Sequence, residues 1–142
     1  MAGAQYRAQI NWVEGLQFEA QGLESESEFM LDGSPEFGGM GMGVRPFEAL
    51  LCSLAGCSSM DVIMILQKMR QDVTGLQVNV VGERGEDYPR PLVKASLEYV
   101  VRGREIAPQA VERAIRLSQE KYCGVMASVK TEIRATYRIE QE

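Results

Sequence analysis

Pro46-Phe47-Glu48-Ala49-Leu50-Leu51-Cys52-Ser53-Leu54-Ala55-Gly56-Cys57-Ser58-Ser59-Met60-Asp61-Val62-Ile63-Met64-Ile65-Leu66-Gln67-Lys68-Met69-Arg70 is the stretch that decides the fold. Pro46 suits the first turn of a helix, where its missing N–H leaves no hydrogen bond unmade. The helix is expected to reach Arg70 or Gln71, and Thr74-Gly75 to break the pattern. The run is apolar on nearly every side, yet Glu48, Ser53, Ser58, Ser59 and Asp61 interrupt it. That makes a poor membrane span and a good buried central helix. One small sheet covers too little of such a helix. The excess apolar surface points to an identical partner in a two-fold dimer, with burial inside one larger sheet as the alternative.

On either side of this helix the chain alternates in the manner of strands. Tyr6, Ala8, Ile10 and Trp12 share one face, Glu14-Gly15 makes a tight turn, and Leu16, Phe18 and Ala20 line a return strand. Glu28 to Leu31 is a third short strand, followed by the glycine- and methionine-rich loop 38–43, expected to be a flexible connector. Beyond the helix, Leu76, Val78 and Val80 mark a strand, and Val93 to Val101 give the clearest alternation. Arg102-Gly103-Arg104 is expected to turn into a second helix that starts near Pro108 and carries Val111, Ala114, Ile115 and Tyr122 on one face. Gly124 stops or bends it into a short helix, Val125 to Lys130, and Ile133 to Ile139 supply a last strand. Strands in two groups with helices between and after them make an α+β chain. No repeat or linker interrupts it, so 1–142 is expected to be one domain.

The 142 residues are 45% hydrophobic, enough for a single core. A net charge of -5 argues against nucleic-acid binding, which leaves a basic stripe. Met1 to Arg7 holds no apolar run of the secretory kind, and three cysteines are an odd number, so a reducing cytoplasm is expected. The chain has no histidine. That removes Cys-His and Ser-His-Asp nucleophile systems and the usual imidazole ligands. Covalent chemistry here falls to a thiolate, helped by Arg, Lys, Asp or Glu.

Each thiol has a plain reading beside a chemical one. Cys52, among Leu50, Leu51 and Leu54, is taken as a packing residue. Cys57 sits between Gly56 and Ser58-Ser59, small residues that let a substrate or backbone approach, so it is either a core thiol or a reactive one. Cys123 lies where the second helix stops, and the dipole there disfavours a thiolate. It suits a waiting partner thiol or a helix-capping residue. No CxxC pair exists to complete four zinc ligands, so neither metal nor cofactor is expected. Arg45, extended before Pro46, is the nearest upstream cation and is either a thiol helper or a solvated loop residue. Glu48 pairs with it or serves as first-turn helix charge. Asp61, one turn beyond Cys57, hinders thiol ionisation unless another group holds it.

At these residues a resemblance appears. Pro46-Phe47-Glu48-Ala49-Leu50-Leu51-Cys52-Ser53-Leu54-Ala55-Gly56-Cys57 resembles the P-x-E-L-L-x-x-x-L-x-x-C segment of OsmC/Ohr-type proteins, and Asp61 to Arg70 continues it in the manner of the OsmC-like, YhfA-type branch. Val111-Glu112-Arg113-Ala114-Ile115 with Leu117 to Cys123 is similar to the family's second cysteine motif. The resemblance implies an intertwined α+β homodimer, with antiparallel sheets wrapped around long buried central helices and active sites at the subunit interface. It also implies thiol-dependent reduction of organic hydroperoxides, with Cys57 as peroxidatic thiolate, Cys123 as resolving thiol and a dithiol reductant of lipoyl type. The family's glutamate stands ten positions before the reactive cysteine, where this chain has Phe47. Glu48 comes nine before, on the opposite side of a straight helix from Cys57. No arginine falls between Ala8 and Val44, which leaves Arg7 and Arg45 as upstream candidates, and Arg45 is preferred. Two other functions fit the pattern: a non-catalytic dimeric binding protein for an apolar or acyl ligand, and a thiol redox sensor that signals through a partner.

Overall fold

Hydrophobic alternation near the start of the chain becomes a small antiparallel sheet. A computed structural model describes residues 3–142, and its contacts divide at Ala49 and Leu50 into two compact units. In the first unit, β1 (Ala8–Glu14), β2 (Gln17–Gly22) and β3 (Ser27–Leu31) pair in that order. Gly15 makes the first turn with a positive φ of 52°, and Trp12 lies opposite Phe18. Ala20 is buried, whereas β1 is exposed along its whole length.

The methionine-glycine loop differs from the expected loose connector. Asp32 is buried, and its carboxylate accepts N–H bonds from Gly33 (2.7 Å), Met40 (3.0 Å) and Met42 (3.1 Å). These bonds, led by that of Met42, hold its carboxyl below the ordinary range. Gly39 is needed where it stands, because a Cβ there would lie 1.7 Å from the carbonyl oxygen of Gly33. The tie was hidden because its anchor lies outside the glycine run.

The second unit begins within α1 (Pro46–Lys68) and runs to Glu142. α1 ends slightly earlier than expected, and Arg70 turns the chain with a left-handed φ of 57°. Its residues Leu54, Ser58, Val62 and Leu66, four apart, form one buried stripe. Against it pack the inner face of β5 (Leu92–Arg104), including Ala95, Leu97, Tyr99 and Val101, and the buried side of α2 (Pro108–Leu117).

Strand order in this unit is β4 (Asp72–Arg84), β5, β6 (Glu132–Gln141). Thr74-Gly75 does not break β4; the register shifts between Val73 and Gly75 and the strand continues. Arg102-Gly103-Arg104 is likewise strand rather than turn. β4 and β5 are antiparallel, but β5 and β6 are parallel, which departs from wholly antiparallel sheets. Parallel pairing requires a long crossover, and α2 with α3 (Gly124–Ala127) supplies it. The α+β class stands. Between these helices, Ser118–Tyr122 forms a single π-helical turn, closed by the Cys123 N–H bonding the Ser118 carbonyl at 2.8 Å. Its extra residue shifts the phase, so Ser118 is buried and Tyr122 is exposed, not on the buried face as expected.

Candidate active site

Cys57 and Asp61 stand one turn apart on α1, so their side chains share a face. The π-helical turn brings Cys123 to the same place. The two sulfurs and a carboxylate oxygen of Asp61 all lie within 4.8 Å of one another. Cys57 is half-buried, and Cys123 is only 4% exposed.

Cys123 is held protonated by its surroundings. Burial is the main reason that its pKa is pushed up to about 11. A hydrogen bond to Cys57 and the negative charge near Cys57 and Asp61 act in the same direction. The Met126 N–H, donating to the sulfur at 3.5 Å, works against them. The expected partner thiol is therefore protonated mainly by desolvation, and it caps the start of α3 as well as following the second helix.

Asp61 has a holder. The Ser118 hydroxyl donates to Oδ2 of Asp61 at 2.9 Å. Having spent its one proton there, Ser118 accepts from Ser58 at 2.8 Å, and Ser58 accepts from the Tyr99 phenol at 2.6 Å. Burial raises the Tyr99 pKa, which keeps the phenol a donor. Three fully buried hydroxyls thus point in series toward one carboxylate. Sequence reasoning treated Asp61 as a hindrance and missed Ser58, Tyr99 and Ser118 as a group. Ser58 and Asp61, three residues apart inside an apolar helix, were the available signal.

Beside the thiols opens a cleft of about 340 Å³ that shares Asp61 with them. Met64, Ile65 and Leu117 give it apolar walls, and Lys68 and Arg113 add two cations. Cys57, Asp61 and Cys123 are also the groups that could hold a metal, three ligands with room for a fourth. A metal there would have to displace the tightly held proton of Cys123.

Arg45 and Glu48 meet elsewhere, at the beginning of α1 in the first unit. The backbone N–H of Arg45 donates to Oε1 of Glu48 at 2.9 Å, and its carbonyl accepts from Ala49. Glu48 thereby satisfies the capping residue of the helix, half of a capping box. Cys52, read as a packing residue, is exposed on this chain.

Known proteins share this architecture. The family model described as OsmC-like protein matches residues 38–138. Protein YhfA of Escherichia coli strain K12 is 37% identical over 134 residues, covering 94% of this chain and 96% of its own. A hypothetical protein from Aquifex aeolicus VF5 matches with a TM-score of 0.85 and 28% identity over 99% of each chain. An organic hydroperoxide resistance protein, OsmC, from Legionella pneumophila shares the fold, with a TM-score of 0.72 and 11% identity over 96% and 98% of the two chains. With a family match across most of its length and a full-length relative above one-third identity, the chain belongs to the OsmC-like family.

Proposed function

We propose that this protein is a thiol peroxidase that reduces organic hydroperoxides. The observation that carries the reading is the meeting of Cys57 and Cys123, far apart in sequence, at a separation one small movement can close. Family relatives named for organic hydroperoxide resistance support it. The Cys57 thiolate attacks the outer peroxide oxygen; the O–O bond breaks, and the alkoxide takes a proton and leaves as an alcohol. Cys57 is then a sulfenic acid. Cys123 attacks that sulfur, a disulfide forms, and water leaves. An external dithiol, of lipoyl type, reduces the disulfide and is itself oxidised. The apolar walls of the adjoining cleft suit an alkyl group better than hydrogen peroxide.

Arg45 is assigned as the helper cation for the peroxide, and Glu48 as the group that orders the backbone around it. The same proposal includes a cytoplasmic homodimer in which residues 1–142 act as one domain. Supporting the dimer, only 28% of the most apolar part of α1 is buried within the chain, while Ser53, Ser59 and Asp61 make that helix a poor neighbour for lipid.

One equivalent of cumene hydroperoxide is expected to give a Cys57–Cys123 disulfide in non-reducing peptide maps. Cys57→Ser should abolish peroxide consumption, and an unchanged rate in that variant ends the proposal. Arg45→Gln should slow Cys57 oxidation by about ten-fold or more, within the usual range for one positioned catalytic group. An unchanged oxidation rate removes Arg45 from the mechanism. A purified protein carrying an apolar ligand with inert thiols would favour the binding-protein alternative.

A further inference from the structure

We propose that Asp61 carries the proton of disulfide closure: its carboxylate takes the proton from the Cys123 thiol and delivers it to the oxygen leaving Cys57. The inference rests on the peroxidase reading above and names a residue for a step that reading leaves without a base. In the step, the Cys123 sulfur attacks the sulfenic sulfur of Cys57 while its S–H bond breaks toward Asp61. The S–S bond forms, the S–O bond breaks, and the departing hydroxide collects the proton from Asp61 to become water. The Cys123 sulfur is oxidised, the Cys57 sulfur is reduced by the same amount, and Asp61 ends as it began.

Three observations support this assignment. The Asp61 carboxylate is within 4.8 Å of both the sulfur that must lose a proton and the sulfur whose oxygen must gain one. Its Oδ2 is fixed by Ser118, whereas Oδ1 accepts no hydrogen bond among the described residues and is free to face the thiols. The series Tyr99, Ser58, Ser118 supplies aligned donors that stabilise the carboxylate charge beside two sulfurs. Cys123 needs such help, since burial keeps its proton in place at neutral pH. The charged and titratable groups around Asp61 are Cys57 and Lys68 on its own helix, Arg113 and Tyr122 across the cleft, Cys123 from the π-helical turn, and Tyr99 behind the serines. No histidine exists in the chain to share the task.

The test follows closure in the full reduced protein, with a chelator present, after one equivalent of cumene hydroperoxide. Dimedone trapping counts sulfenic acid, and quenched peptide mapping counts disulfide. In Asp61→Asn, closure is expected to slow about a hundred-fold while sulfenic acid accumulates, the usual effect of removing a general base. Its rate should also climb steeply with pH toward the value of the Cys123 thiol, whereas the native rate stays nearly flat near neutrality. Asp61→Glu should restore the flat profile, an outcome that a merely structural role for Asp61 would not produce. Native closure rate and profile in Asp61→Asn overturn the inference and leave the peroxidase reading intact. Absence of both sulfenic acid and disulfide in the native protein overturns both.

Discussion

Cys123 shows how much a single residue's surroundings decide. Its sulfur is buried and its pKa raised, so the folded chain holds this proton more tightly than the unfolded chain does. The associated stability is complete below the ordinary thiol value of 9.0 and is lost as pH rises toward about 11. Urea melts between those values should therefore show falling stability, and Cys123→Ala should flatten the decline. Alkylation of the reduced protein, mapped by peptide, should label Cys123 slowly at neutral pH and steeply faster in the same window. Brisk labelling at neutral pH would contradict the burial argument. Both thiols were legible as candidates from their sequence settings alone. The hydroxyl series was not, because Ser58, Tyr99 and Ser118 come from a helix, a strand and a turn that only tertiary packing aligns.

At the scale of elements, alternation revealed every strand and the apolar run revealed α1, but local breakers misled about where strands end. Thr74-Gly75 and Arg102-Gly103-Arg104 face each other across the β4–β5 ladder, with Val73 opposite Gly103 and Gly75 opposite Arg102. Each glycine-bearing segment is held extended by the other's backbone, an effect invisible to either one alone. The π-helical turn was equally hidden, since no residue type marks it. The loop after β3 shows the converse case, in which one buried aspartate orders a segment with little preference of its own. Asp32→Asn is expected to lower the melting temperature and to weaken order in 38–43, as followed by amide exchange. Because its folded pKa is depressed, the stability owed to Asp32 is present above the ordinary value of 3.8 and is lost as pH falls through the lower folded value. Equal acid sensitivity in native and Asp32→Asn proteins would count against this account.

Across the whole molecule, the surface left uncovered is as informative as the core. Met60 is 69% exposed and Met64 56% exposed on the outer side of α1, and a Cβ at Gly56 would meet nothing within 4 Å. On β1, Trp12 is 68% exposed. A helix tolerates an interior glycine at a cost of about 1 kcal/mol, and close approach of a second helix is a sufficient reason for it. Sedimentation should give twice the chain mass, and Met60→Glu should shift the protein toward one chain by placing like charges against each other. A native protein of single-chain mass at micromolar concentration would remove the dimer. The unusual apolarity of α1 was readable directly; what covers it was not, since pattern records the need for a neighbour without its identity.

The depth at which Cys123 sits also shapes the return half of the cycle. Once the disulfide has formed, an outside thiol can approach the half-buried sulfur of Cys57 far more readily than the one behind it. Attack there expels Cys123, and a sulfur that binds its proton up to about 11 is a poor leaving group. Any mixed disulfide that does form is readily undone, because Cys123 remains poised to throw the intruder out. Only a donor whose second thiol closes faster than that reversal can finish the exchange. Monothiols are thereby filtered out, and electrons enter in pairs from a single carrier.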